Sequence, residues 1–168
     1  MAYTIADLIE HAVDLMPERV ALESGATTRT YADLEARSNA LAHTLRGLGV
    51  QPGDRVGLYS RNTIEAVEAM VAIFKARAVM VNVNYRYVEA ELEHIFTDSG
   101  MKVLIHERSF AGRVCNTLPK APDLEYRVVI EDGSDEDLCC AGHSDAIRFE
   151  EAIAASSTER DFEERSDD

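Results

Sequence analysis

The 168-residue chain is long enough for one hydrophobic core, and its 46% hydrophobic content excludes a disordered polymer. Its 31 acids outnumber 17 lysines and arginines, giving a formal charge of −14. That balance disfavours nucleic acid and anionic membrane surfaces as partners. The charge is concentrated: residues 131–168 hold 14 acids and three arginines, a net of −11, and the first 130 residues carry only −3. A near-neutral body with a solvated acidic tail is therefore expected.

The elements alternate between two periodicities. Residues 4–16 read as a helix, with Ile5, Leu8, Ala12 and Leu15 on one stripe and Thr4 and Asp7 at capping-box spacing. Pro17 ends it. Residues 20–23 and 28–31 read as a hairpin around Gly25. A second helix follows, with Thr30 as cap, Asp33 three residues on, Leu34, Leu41, Leu45 and Leu48 at helical spacing, and Gly49 closing it. After the turn at 51–54 comes a strand at 56–59. Asn62 is then expected to cap a helix buried through Ile64, Val67, Val71 and Phe74. Val79, Val81 and Val83 alternate with Met80, Asn82 and Asn84 as a strand. Residues 88–99 form a helix buried through Leu92, Ile95 and Phe96, and 103–106 and 127–130 are short apolar strands. Strands and helices in alternation with short connections predict an α/β fold with a mostly parallel sheet and flanking helices. Beyond Ile130 the pattern fails into a polar loop at 131–137, a short helix around 149–155, and from Ser156 a linker-like stretch.

Little in the sequence announces chemistry. The nine glycines form neither Gly-x-x-x-x-Gly-Lys nor Gly-x-Gly-x-x-Gly, and there is no Gly-x-Ser-x-Gly. The five histidines, at 11, 43, 94, 106 and 143, lack metalloprotease spacing. Cys139, Cys140 and His143 cluster, but a zinc site needs four ligands and no second pair is near, so no metal site is expected. Three cysteines without framework spacing point to a reducing compartment. Met1 is followed by neither a basic nor a long apolar leader, and the longest apolar run, at 69–74, is too short to span a bilayer, so a cytoplasmic protein without a transmembrane segment is expected.

Four stretches, in order, carry a resemblance. Arg29-Thr30-Tyr31-Ala32-Asp33-Leu34 resembles a Thr-Tyr-x-x-Leu motif of adenylate-forming enzymes, and residues 48–56 are similar to their Gly-Val-x-x-Gly-Asp-Arg-Val turn. Phe74-Lys75-Ala76-Arg77-Ala78-Val79 resembles Lys-Ala-Gly-Ala, and residues 82–87 an Asn-x-Arg approach to a helix. The family is that of AMP-forming acyl-CoA ligases, and the subgroup resembles actinobacterial enzymes acting on fatty acids or steroid side-chain acids. Two departures stand out: Arg77 replaces a common glycine, and Met80 a frequent proline.

The resemblance implies a partial N-terminal subdomain over residues 1–130 and an acidic linker over 131–168 leading to a phosphate loop. It implies an activity that joins a carboxylate to AMP with ATP and Mg2+ and passes the acyl group to CoA. No catalytic residue is expected within these 168 residues, because the family's phosphate loop and catalytic lysine would lie beyond them. The arginine matching Arg86 approaches a CoA phosphate in some relatives. The alternative is a helix-entry arginine paired with Glu89. Tyr85 and Tyr87 either flank an acyl channel or pack at a strand end, and Asn82 and Asn84 fix the turn. Three readings compete: part of a ligase, a non-catalytic binding or homodimerising module of the same fold, and a small α/β signalling domain. The last is weakened by the missing acidic cluster with a phosphorylatable aspartate.

Overall fold

A computed structural model describes residues 4–138, 140, 142 and 144–162. Among the described residues, thirteen α-helices and β-strands follow one another: α1 (Ile5–Leu15), β1 (Val20–Ser24), β2 (Thr27–Thr30), α2 (Tyr31–Gly47), β3 (Arg55–Tyr59), α3 (Ile64–Lys75), β4 (Val79–Val83), α4 (Glu89–Ser99), β5 (Val103–Glu107), α5 (Ala111–Thr117), β6 (Tyr126–Ile130), β7 (Ile147–Arg148) and α6 (Phe149–Ala155). β1 and β2 pair antiparallel as a hairpin. The other five strands form a parallel sheet in the order β4-β3-β5-β6-β7. This is the α/β architecture expected from the sequence. Each face of the sheet buries its own cluster. Leu41, Leu45, Ile73, Ile105, Val128 and Phe149 fill the side of α2, α3 and α6. Tyr59, Leu92, Phe96, Leu104, Phe110 and Val114 fill the side of α4 and α5. Gly57 is fixed by that second face: an added Cβ would collide with Met101 Sδ and lie 2.8 Å from Leu104 Cδ1.

The two predicted capping boxes form. Thr4 Oγ1 accepts from Asp7 N at 3.2 Å and Thr30 Oγ1 from Asp33 N at 3.1 Å, and each aspartate accepts back from the cap's N–H. The third cap is displaced by one residue. Thr63, not Asn62, precedes the first helical turn of α3 and accepts from Ala66 N at 3.1 Å.

The expected stripe of α1 does not face the core. Ile5, Leu8 and Leu15 are 52%, 59% and 69% exposed, and Ala6, Asp7, Glu10 and Val13 are buried instead. Ion pairing turns the helix. The fully buried Lys75 ammonium lies 2.7 Å from Glu10 Oε1 and 2.9 Å from Glu35 Oε2, tying α3 to α1 and α2. Arg77 stands 3.4 Å from Asp7 Oδ1 and donates to Thr4 Oγ1 at 2.6 Å. Arg77 is also the non-glycine residue with positive φ, +59°. The residue type that the resemblance leads one to expect there, glycine, is the type that backbone conformation favours.

Residues 156–162 run along α2, held by a few anchors although 157–161 are exposed. Asn39 Nδ2 donates to Thr158 O at 2.9 Å, Arg160 Nε lies 2.6 Å from Glu35 Oε1, and Phe162 packs on the core with Arg46 5.0 Å over its ring. Composition could not reveal this, because the segment's few anchors are interleaved with acids.

Candidate functional site

In a parallel sheet the strand order reverses where the chain leaves β3 for β4 on one side and returns to β5 on the other, and ligands bind beyond the carboxyl ends of strands at such points. Three strand ends converge there. Glu107, buried at the end of β5, accepts from Ser60 Oγ at 2.8 Å and from the backbone N–H and guanidinium of Arg61, which follow β3. Asp132, just after β6, lies 3.6 Å from the same guanidinium and accepts from Ser109 N at 3.2 Å. Burial opposes ionisation of Asp132, but hydrogen bonds from Ser109 and Ser134 outweigh it and hold the carboxyl below its usual range. Arg61 also stacks 4.7 Å over the Phe110 ring and remains half-exposed. A cationic group is thereby held in place at the mouth of the sheet.

Next to Arg61 lies a cleft of about 390 Å³ between β1, the end of β3, the first turns of α3, and β4. Leu22, Leu58, Ile64, Val67, Met70 and Met80 give it apolar walls, and Ser60, Arg61, Asn62, Thr63 and Asn82 a polar rim. An apolar cavity with few polar groups suits an amphiphilic small molecule.

Of the residues singled out in the sequence, Tyr85 and Arg86 sit together on the exposed turn after β4. Arg86 N donates to Asn84 Oδ1 at 3.0 Å, so Asn84 does fix this turn. Arg86 Nε donates to Tyr85 Oη at 3.2 Å, and the guanidinium lies 5.4 Å over the Tyr85 ring. Among the described residues Arg86 makes no ion pair. Glu89 instead accepts from Asn116 Nδ2 at 3.3 Å. Tyr87 points elsewhere. It is half-buried, its carbonyl accepts from Tyr59 Oη at 2.7 Å, and it lines a separate shallow cavity along α4 with His94, Ile95 and Asp98. The turn therefore brings Tyr85 and Arg86 together but not Tyr87. Arg61, Glu107 and Asp132 carried no sequence signal, being 46 residues apart or more by chain from Arg61 and joined only by the sheet.

Cys139 and His143 lie outside the described residues. Cys140 is joined to Cys115, 25 residues away. This corrects the reading of the cysteines as lacking a pairing pattern: the contact is made by the packing of α5 against the loop after β6, which spacing does not encode. Among the described residues, no three histidine, cysteine or acidic side chains are grouped to hold a metal. None of the helices among them is long and apolar enough to cross a membrane.

The family model for the AMP-binding enzyme matches residues 9–164. The chain belongs to this family. Over all 168 residues it is 60% identical to a 3-oxocholest-4-en-26-oate–CoA ligase of Rhodococcus rhodochrous, covering 30% of that protein. It is 53% identical over the same length to a medium/long-chain-fatty-acid–CoA/3-oxocholest-4-en-26-oate–CoA ligase of Mycobacterium tuberculosis, again covering 30%. An anthranilate CoA ligase crystallised with anthranoyl-AMP superposes with a TM-score of 0.83 at 27% identity, over 94% of this chain and 29% of that one. The chain thus spans about 30% of the length of the curated relatives it matches.

Proposed function

We propose that these residues form the N-terminal part of an AMP-forming acid–CoA ligase, whose whole protein activates a fatty or steroid side-chain carboxylate as an acyl-AMP and passes the acyl group to CoA. The observation that carries this reading is 60% identity across the whole chain to a ligase of steroid side-chain acid. We assign residues 1–130 to the subdomain and 131–168 to an acidic segment linking onward, which also lends β7 and α6 to the sheet and core, and we place the protein in the cytoplasm.

The residues fit the cofactors unequally. The exposed Arg86 guanidinium, braced by Tyr85 and without an ion pair among the described residues, suits a phosphate of CoA. Tyr85 would flank an acyl channel from this turn, and Tyr87 from the separate cavity along α4. ATP and Mg2+ supply the activating phosphoryl chemistry in the whole enzyme. The described residues group no carboxylates for a metal and the sequence holds no glycine-rich phosphate loop, so no step through ATP is assigned to them.

The test is Arg86→Ala in a full-length ligase carrying this segment. Loss of a charge-assisted phosphate contact raises KM for CoA roughly 10- to 100-fold, while acid-dependent ATP–pyrophosphate exchange, which needs no CoA, stays unchanged. An unchanged KM for CoA removes Arg86 from the site. The isolated chain is expected to show no such exchange.

One observation favours a second reading, a homodimerising module: the outward apolar row of Ile5, Leu8 and Leu15 on α1. Sedimentation equilibrium of the isolated chain decides it, a concentration-independent monomer being the contrary result.

A further inference from the structure

On the sheet face beneath α4 and α5, the alternation of β5 and β6 sets the side chains of His106 and Arg127 on the same side as the joined Cys115 and Cys140. Arg127 is almost fully buried, and its Nη1 lies 2.8 Å from Cys140 Sγ and 3.9 Å from Cys115 Sγ. Its position is set by two carbonyls of the same loop, Leu138 O at 3.1 Å and Ser144 O at 2.7 Å. A buried guanidinium in contact with a sulfur favours the thiolate over the thiol at that sulfur. The two sulfurs are unequal in access as well. Cys140 is 6% exposed, whereas Cys115 is only partly buried on α5.

We propose that Cys115–Cys140 is a thiol–disulfide exchange site, opened by a small or protein dithiol. The incoming thiolate attacks the more accessible Cys115 sulfur, forming a mixed disulfide, and the S–S bond breaks toward Cys140, which leaves as a thiolate beside Arg127. A lower leaving-group pKa speeds this step. The second thiol of the reductant then attacks the mixed disulfide and releases Cys115. The net exchange converts one dithiol to a disulfide and the protein disulfide to a Cys115 thiol and a Cys140 thiolate, with one proton of the reductant taken up at Cys115 and the other released to solvent. His106 on the same face is neutral, since burial pushes its pKa down to about 4, and so does not compete with Arg127 as a cation. The loop held by Cys140 begins at Asp132, the partner of Arg61 at the sheet's carboxyl edge, so opening the bond loosens the segment that steadies that edge.

The sequence holds three cysteines, which makes the state countable. In protein incubated with oxidised dithiothreitol and unfolded without reductant, one maleimide-reactive thiol per chain is expected, and three after phosphine treatment, with tandem mass spectrometry placing the link at Cys115–Cys140. Reduction lowers the thermal midpoint by roughly 5–15 °C, as release of a 25-residue loop implies. Three thiols before reduction, or a link through Cys139, overturns the proposal. The role of Arg127 is read separately in a Cys115→Ser/Cys139→Ser background. Alkylation of Cys140 should have its pH midpoint below that of an ordinary thiol, about 8.5, because the Arg127 guanidinium lies against its sulfur, and Arg127→Met should return it to the ordinary value. A midpoint at or above the ordinary value with Arg127 present rejects the thiolate assignment.

Discussion

Lys75→Met is the sharpest probe of how the helices are held to one another. The ammonium is fully buried, 2.7 Å from Glu10 and 2.9 Å from Glu35, so it neutralises carboxylates contributed by two other helices. Methionine matches its length and fills its volume, which isolates the charge. Removing one member of a buried ion cluster costs about 3–5 kcal/mol, a large part of the roughly 5–15 kcal/mol that holds a domain folded. For a domain of this size the thermal midpoint should fall by roughly 6–20 °C. Arg160 stays 2.6 Å from Glu35 but 4.0 Å from Glu10, so the greater part of the loss belongs to Glu10. Lys75→Met/Glu10→Gln should then recover more than half of it. Circular dichroism melts and urea titrations of the three proteins give the comparison. A shift below about 3 °C in the single variant, or no recovery in the double, would refute the reasoning.

Arg77 adopts φ +59°, so Arg77→Gly and Arg77→Ala lose the same contacts to Thr4 and Asp7 but differ in backbone strain. Urea titration should find the alanine variant less stable by about 1 kcal/mol, and equal stability would contradict the left-handed assignment. Gly57→Ala forces a methyl against Met101 and Leu104 and should cost about 1–3 kcal/mol by the same measurement, with no loss meaning a looser β3–β5 face. His106 has a folded pKa of about 4, below its ordinary 6.5, because burial disfavours the cation. The unfolded chain therefore binds the proton more readily, and this contribution is complete above the unfolded pKa and lost as pH falls toward 4. Between pH 7 and 5 the wild type should lose about 2 kcal/mol more than His106→Leu, and identical pH profiles would exclude a buried neutral histidine.

Where local periodicity and capping agree with burial, the fold is readable from sequence. The boxes of Thr4–Asp7 and Thr30–Asp33, the α2 leucines and helix α6 fall where spacing puts them, whereas β4 forms where expected but leaves Val79 exposed. The failures share a cause. α1 turns its leucines outward because Glu10 and Asp7 are drawn to Lys75 and Arg77, partners more than 60 residues away. β7 is two residues long and α5 only seven, so neither is long enough to show a period. At the candidate site, Arg86 is visible only through its motif, while Arg61, Glu107 and Asp132 are assembled by parallel strand ends and have no linear signature.

Exchange into a relative shows whether these residues serve as the N-terminal part of an acid–CoA ligase. Residues 1–168 replace the aligned 30% of the Rhodococcus rhodochrous ligase, and the folded chimera is assayed for CoA-dependent, ATP-dependent turnover of 3-oxocholest-4-en-26-oate. Retained formation of the acyl-CoA with stoichiometric AMP is the predicted result. A chimera that melts cooperatively at the parent's temperature yet forms neither acyl-AMP nor acyl-CoA would contradict the account.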